Sequence, residues 1–314
     1  MRKTMKLMTV MCAFVMACAV SAANIANYLP ADSQLAFYFS MPAVAASKVL
    51  AANGVDVSEC LAKESLKNPD INESWLSAEI AAGGVWTEKN DPSSGKGIIV
   101  ITGSKELIDG CCAKAAADEN CTAVTFAGYE GYNVNNPELA AKNISAVGIK
   151  IDANTILLAI NMDEAAVAAC AAGKNSNILT EVGTTGNFLS MAAENSLFEE
   201  QPMGKLLAKV SEADNHINFS AVCDFFDDAE AADKAEVDFK QALGAAVGSA
   251  AGCGIVDFEE IFANIQLDRN GNVLELNIFK AEEIVKGLIP VFEAFKEQNA
   301  CMNAEICEMD DAEL

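Results

Sequence analysis

The dipeptide Asn270-Gly271 lies between two segments in which apolar and polar residues alternate. Asn-Gly favours a type I′ turn, because both central residues of that turn need positive φ angles. Alternation of period two is typical of strands with one buried and one solvated face. The predicted hairpin pairs Ala263, Ile265 and Leu267 with Ile278, Leu276 and Leu274. The sequence therefore predicts an antiparallel sheet that is covered on one face.

A second hairpin is predicted around Ala153-Asn154, and each hairpin follows a strand and a helix. The first strand and helix span residues 97–101 and 104–117, and the second span residues 217–223 and 228–251. The pattern recurs at an offset of roughly 120 residues, which suggests an internal duplication. In the earlier hairpin the predicted partners are Val147, Ile149 and Ile151 with Ile160, Leu158 and Ile156. We predict an α+β fold of two related lobes, each an antiparallel sheet packed on one face by helices.

The predicted domain boundaries follow from this layout. A signal peptide occupies residues 1–22, the N-terminal lobe 23–182, the C-terminal lobe 183–299, and an acidic tail 300–314. Before the repeat, residues 35–39 are a predicted strand and Ser40 a predicted helix cap. The region 68–97 is rich in turn residues and is predicted to be loop-rich. A last helix is predicted over 281–298, with a kink at Pro290.

The first 23 residues have the features of a secretory signal. An apolar stretch without charge, residues 7–20, leads to the small residues of 21–23, and a cationic start precedes it at Arg2, Lys3 and Lys6. The apolar stretch is too short to cross a bilayer, which takes roughly 20 residues in a helix. We expect cleavage after Ala22 or Ala23, and no transmembrane helix in the mature chain.

A lipid anchor is the alternative form of export. Residues 15–18 resemble a bacterial lipobox, in which Cys18 would be lipidated and become the new N-terminus. Met16 fits that pattern poorly, and the small residues downstream suit a signal peptidase better. Soluble export, to the periplasm or the medium, is therefore favoured over lipidation.

The segment after the signal carries a resemblance. Tyr28-Leu29-Pro30-Ala31-Asp32-Ser33 leads into a strand and resembles the opening of exported bacterial α+β proteins of unassigned function. The resemblance implies a protein of the bacterial envelope or a secreted protein. It implies no catalytic residue.

Charge and cysteine content exclude several classes of protein. With 45 acidic and 21 basic residues, the formal net charge is −24. So negative a chain repels nucleic acid and anionic lipid, and neither is expected as a partner. Export permits disulfides, but Cys111, Cys112, Cys170 and Cys253 lie among alanine and glycine and are expected to act as small buried apolar residues. Cys301 and Cys307 are the favoured pair.

The sequence carries no recognisable catalytic or cofactor motif. Its one histidine, His216, lies in a predicted turn without a visible partner, and no phosphate-binding or dinucleotide-binding loop is present. We predict no cofactor and no catalytic residue. The densest acidic cluster is a candidate divalent-cation site, and helix capping is the alternative role for its members Asp224, Asp227 and Asp228.

One helix face points to a surface contact. Glycines recur every four residues along the helix of 228–251, and another backbone could approach them closely; they are Gly244, Gly248 and Gly252. Packing within the chain and a homodimer are the two explanations.

Taken together, the residues favour an exported, non-catalytic binding or structural protein of the bacterial envelope with an unknown ligand, either a protein or a small molecule. A secreted hydrolase that uses paired carboxylates is the alternative, because such pairs have no spacing signature.

The form of export can be tested by the intact mass of the protein purified from its host. We expect the mass of a chain that begins at Ala23 or Asn24. A mass that corresponds to a lipidated chain beginning at Cys18 would contradict soluble export.

Overall fold

The computed structural model describes residues 24–68, 71–86, 94–194, 204–226, 228–252, 263–284 and 286, with only the backbone described over 246–252. The α-helices are α1 (Met41–Ala45), α2 (Lys48–Ala52), α3 (Val57–Lys67), α4 (Lys105–Ala117), α5 (Pro137–Ala141), α6 (Glu164–Ala171), α7 (Ile178–Val182) and α8 (Ala229–Gly252), and 281–284 is also helical. Two 3-10 helices span Ile25–Tyr28 and Glu73–Ser77.

The strands outnumber the long helices in this part of the chain. They are β1 (Leu35–Ser40), β2 (Glu79–Trp86), β3 (Gly95–Thr102), β4 (Cys121–Phe126), β5 (Tyr129–Val134), β6 (Ala146–Asp152), β7 (Thr155–Ile160), β8 (Asn187–Glu194), β9 (Lys205–Ala213), β10 (His216–Asp224), β11 (Ile265–Asn270) and β12 (Val273–Ile278). The protein is α+β with a large antiparallel sheet, as predicted.

The chain divides into two compact units. The first contains the described residues up to 194 together with Leu206–Lys209, and the second contains residues 204–205 and those from Val210 onward. The strand that follows the predicted boundary at residue 183, β8, pairs with β1, and Phe37 lies opposite Met191. The first unit therefore extends past residue 183. The signal, the acidic tail and Pro290 lie outside the described residues.

The sheet of the first unit has the order β8-β1-β2-β3-β7-β6-β5-β4. One of its faces forms the main core, where side chains of β3, β6 and β7 are at most 2% exposed: Ile98, Val100, Ile149, Leu157 and Ala159. The 3-10 helix at Ile25–Tyr28 and helices α6 and α7 cover this face, and Leu29, Val167 and Leu179 pack into it. The core thus lies between the sheet and these helices.

The predicted register of the β6–β7 hairpin is wrong by one residue. The observed pairs are Ala146 with Ile160, Gly148 with Leu158, and Lys150 with Ile156. The pairing shifts between Lys150 and Asp152, so an extra residue is accommodated close to the turn. A slip of one residue moves a side chain to the other face. As a result, Ile156, Leu158 and Ile160 face away from the main core, and this part of the sheet is apolar on both faces.

The prediction of a loop-rich region over 68–97 is also wrong, because β2 lies there. It pairs with both β1 and β3. The strand contains the run Ala81-Ala82-Gly83-Gly84, which has low β propensity and hides it from sequence analysis. Gly83 has a packing reason: a Cβ there would lie 2.8 Å from Ser33 Oγ and 3.1 Å from Leu29 Cδ1.

In the second unit, β12 lies between β10 and β11. Its small core contains Phe225, Ala232 and Leu274, and α8 supplies the second of these. The predicted hairpin is present, but its register is shifted by two residues, with Ile265 opposite Ile278. Asn270 stays in β11, and only Gly271 has a positive φ, of 62°. The turn is therefore of type II′ instead of type I′, and the apolar face is the predicted one.

The two units share one order of connections. In the first, β3 leads into α4, and β7, the later strand of the following β6–β7 hairpin, returns to pair with β3. In the second, β10 precedes α8, and β12, the later strand of the β11–β12 hairpin, pairs with β10. The first unit has an additional hairpin, β4–β5, between its helix and the returning strands.

The fold predicts that two asparagine caps contribute differently to the free energy of unfolding. Asn177 caps α7 and is 6% exposed, and its Nδ2 also donates to Ala26 O at 2.8 Å. Asn136 caps α5 by accepting bonds from Glu138 and Leu139 only. We expect Asn136→Ala to cost about 1 kcal/mol. Asn177→Ala should cost about 2 kcal/mol, since it also removes the buried hydrogen bond to Ala26 O, which keeps its bond from the N–H of Leu29.

Urea denaturation of both variants measures this difference. Equal losses of unfolding free energy would show that the bond to Ala26 contributes nothing.

Candidate functional site

A cavity of about 730 Å³ lies in the first unit between α4 and the face of the sheet that points away from the main core. This volume lies within the range of small-molecule sites, about 300 to 1,000 Å³. Strands β3 to β7 supply the floor, and the side chains of α4 form the opposite wall. Sequence analysis did not predict the cavity, because its lining residues lie far apart in the chain.

The cavity exists because small residues face each other across it. Helix α4 carries large apolar side chains near its start, where Leu107 and Ile108 are buried. Further along, its cavity-lining residues are small: Cys111, Cys112 and Ala115. The strands opposite contribute Ala123 and Gly148. The side chains of α4 are therefore large and buried near its start and small where the helix lines the cavity.

The floor of the cavity is aliphatic. Its side chains are half-buried, whereas their sequence neighbours on the core face are almost fully buried. The larger side chains of this floor are Ile99, Ile101, Val134, Ile156 and Leu158. Apolar surface in a half-open cavity gains about 25 cal/mol for each Å² that a ligand removes from water. The walls thus favour an apolar ligand.

Three thiols line the same cavity, and burial raises the pKa of each of them, Cys111, Cys112 and Cys121. A raised pKa keeps a thiol protonated near neutral pH, and a protonated thiol is a poor nucleophile and a poor metal ligand. These cysteines therefore act as apolar surface. Each is free, as are Cys60, Cys170 and Cys223, while Cys253, Cys301 and Cys307 lie outside the described residues.

One cation borders the apolar wall. Lys150 lines the cavity, its side chain is 35% exposed, and its Nζ donates to Asp109 Oδ1 at 2.7 Å. Lys105 binds the other oxygen of the same carboxylate. Hydrogen bonds from Lys105 and then Lys150 lower the pKa of Asp109 to about 2, and the bond to Asp109 raises the pKa of Lys150. Lys150 is therefore positively charged at any physiological pH.

The predicted acidic cluster has local backbone roles. Asp224 accepts the N–H of Phe226 at 2.8 Å, and Asp228 accepts the N–H of Ala231 at 2.8 Å, beside the start of α8. Both belong to the second unit, and Asp227 lies outside the described residues. The geometry matches the capping role, and no other described residue joins them as a metal ligand.

His216 has a partner that the sequence did not reveal. Its Nδ1 lies 2.6 Å from Glu282 Oε1, and Glu282 Oε2 accepts the N–H of Ile217 at 2.9 Å. Burial opposes ionisation of Glu282, but the bonds from His216 and Ile217 outweigh it and lower its pKa. The two residues are separated by 66 positions, so only the fold brings them together.

Two other predictions concern surfaces. A Cβ at Gly244 would meet no atom within 4 Å, so this position of α8 borders open space, while nothing is described around Gly248 and Gly252. Among the described helices, none combines the length and the apolar character needed to cross a bilayer.

Comparisons with known proteins show a likeness to solved structures only. No protein-family model and no curated protein matches the chain. It is similar to crystal form III of TP0453, with 9% identity over 82% of this chain and 96% of that chain and a TM-score of 0.45. Crystal forms IV and I give TM-scores of 0.40, at 7% and 9% identity, over 81% and 83% of this chain and 92% and 95% of those chains. Likeness of this degree carries no argument about function.

The cavity predicts opposite outcomes for two neighbouring glycines. A Cβ at Gly148 would meet only Leu158 Cδ1 at 4.0 Å, whereas a Cβ at Gly131 would lie 2.1 Å from Gly148 O. We expect Gly148→Ala to keep or raise the melting temperature, because it fills empty space and restricts the unfolded chain. Gly131→Ala should lower the melting temperature, since backbone must move. Equal melting temperatures for the two variants would contradict the described geometry.

Proposed function

We propose that this chain is an exported, non-catalytic binding protein of a bacterial envelope, and that its first unit holds a single-chain amphiphile with an anionic head group. The observation that carries the proposal is the apolar cavity between α4 and the sheet, with Lys150 at its wall. The export part rests on the signal-like N-terminus and on the resemblance of residues 28–33.

The apolar part of the ligand follows from the walls. Aliphatic side chains and protonated thiols make up most of the described lining, and polar side chains enter it at Thr125, Glu130, Tyr132 and Lys150. A hydrocarbon chain placed along the aliphatic part is removed from water. Each buried CH₂ contributes about 0.8 kcal/mol, before the costs of ordering the ligand are counted. A chain of ten or more methylenes would therefore bind measurably.

The anionic head group follows from Lys150. The negative net charge opposes binding to an anionic lipid surface, whereas a single head group at the cavity wall would meet the local positive charge of Lys150. In the described part of the chain, Asp109 is the one side chain that accepts from its Nζ, and an ammonium group has three N–H donors. Asp109 is itself shared with Lys105, so Lys150 can accept a second anion without leaving the first carboxylate unpaired. A ligand carboxylate or phosphate that approaches along the floor would meet this ammonium group.

The hydrolase alternative gains no support from the cavity. A pair of carboxylates about 5 to 10 Å apart is needed for glycoside hydrolysis. The only carboxylate among the described lining residues is Glu130, which is exposed. Binding without chemistry is the interpretation that these residues favour.

The proposal extends to the history and assembly of the chain. The shared order of connections, in which the strand before a helix pairs with the later strand of the next hairpin, supports an internal duplication. The open space beside Gly244 supports the proposed homodimer contact on α8, because a second copy of the chain could approach the helix there.

Palmitate binding tests the proposed ligand class. We expect isothermal titration calorimetry of the full chain to show palmitate binding. The variant Lys150→Met should weaken it by about tenfold, because it removes a charge-assisted hydrogen bond worth roughly 1.5 kcal/mol. Hexadecanol, which has the same chain without the charge, should bind both proteins equally.

Two controls complete the design. Lys142→Met removes an exposed lysine that does not line the cavity, and it should leave palmitate binding unchanged. Gly148→Leu fills the cavity and should abolish binding of both lipids. If neither lipid binds the unmodified chain, the proposal is wrong; if both bind and Lys150→Met affects neither, the anionic head group is wrong.

A further inference from the structure

The second unit brings together an imidazole and two carboxylates that no part of the proposed lipid site uses. One ligand atom from each of His216, Glu282 and Glu283 lies within 4.8 Å of the others. His216 begins β10, directly after a two-residue turn in which Asp214 and Asn215 have φ angles of 54° and 61°. The two glutamates lie in the first turn of the helix that begins at residue 281.

The frame around these residues is held by hydrogen bonds. Phe279 N donates to Asn264 O at 2.8 Å, and Lys280 N donates to Asn218 Oδ1 at 3.2 Å, so the start of the helix is fixed to neighbouring strands. Glu282 is held by His216 and by the N–H of Ile217. Its side chain is 11% exposed, and that of His216 is 33% exposed. Two of the three groups are therefore preorganised and still reachable from solvent.

The charge of the cluster is not balanced by the protein. Within the described residues, neither Glu282 nor Glu283 pairs with a lysine or an arginine; the one ion-pair partner is His216. Capping and hydrogen bonding account for Glu282, but no described side-chain contact accounts for the position of the Glu283 carboxylate. Two adjacent carboxylates beside an imidazole attract a cation.

We propose that His216, Glu282 and Glu283 bind a Zn²⁺ ion. Imidazole nitrogen and carboxylate oxygen are ordinary zinc ligands, with bonds of about 2.0 to 2.2 Å, whereas Ca²⁺ and Mg²⁺ prefer oxygen alone. Tetrahedral bonds of this length separate neighbouring ligand atoms by about 3.3 Å. The ion would take the place of the proton between His216 and Glu282, Glu283 would swing in as the third ligand, and water would complete the site.

Zinc in this position would join the start of the helix at 281–284, the last helix in the described residues, to the β9–β10 turn. Its effect should therefore be structural, and the second unit should be more stable when the ion is bound. A ligand that binds only the folded state stabilises it in proportion to RT ln(1 + [L]/Kd). The site is independent of the lipid proposal, since it shares no residue with the cavity.

Titration of the metal-free full chain with Zn²⁺ tests the site. We expect one equivalent of Zn²⁺ to bind and to raise the melting temperature, and Ca²⁺ to do neither. Glu283→Gln, which changes an exposed side chain, should weaken Zn²⁺ binding at least about tenfold, and His216→Ala should abolish it. Asp224→Asn, which alters the acidic cluster predicted from sequence, should leave binding unchanged.

Cysteine is a competing ligand, and cobalt separates the two cases. Co²⁺ bound at the proposed site should show no thiolate-to-metal charge-transfer band. Three results would each overturn the proposal: no Zn²⁺ binding by the unmodified chain, binding that survives both Glu283→Gln and His216→Ala, or a thiolate band. The melting temperature of metal-free Glu283→Gln should equal that of the unmodified chain, which shows that the loss of binding is not a loss of folding.

Discussion

The register between β6 and β7 is the constraint on which the first unit depends. Because the pairing shifts between Lys150 and Asp152, Ile149 and Leu157 face the main core while Ile156 and Leu158 face the other side. Helices α6 and α7 and the first 3-10 helix seal the core face. The opposite face receives α4, whose small residues leave it incompletely covered. A single extra residue near a turn thus decides which aliphatic side chains stabilise the fold and which remain available to a ligand.

Positions with tight backbone packing and positions that border the cavity lie close together in strands β5 and β6. At Gly131 in β5, the backbone of β6 approaches too closely to leave room for a Cβ atom. Gly148 lies in β6 close to Gly131, and a Cβ atom there would face empty space. The same residue type therefore serves sheet packing at one position and cavity formation at the next. In the second unit, by contrast, polar contacts do the positioning, and Glu282 joins the last described helix to β10.

Local signals predicted much of the fold. Ser40 and the acidic start of α8 marked helix starts that the structure confirms, and alternation identified the faces of the β11–β12 hairpin. Strand β2 was missed because alanine and glycine have low β propensity. The β6–β7 register was missed because both faces of this hairpin are apolar, so the alternation of apolar and polar residues does not reveal the bulge. The cavity, like the contact between His216 and Glu282, depends on residues brought together from distant parts of the chain, which no local pattern reports.

If the chain is exported as proposed, it would pass through an oxidising compartment, and the thiols of the cavity would then matter for its chemistry. Thiol–disulfide exchange proceeds through the thiolate, so the rate falls when the pKa is raised. Cys111 and Cys112 are both held in the protonated form, and an occupying hydrocarbon would shield them further. The apolar surroundings that would retain a lipid therefore also lower the reactivity of these adjacent cysteines in disulfide exchange between chains.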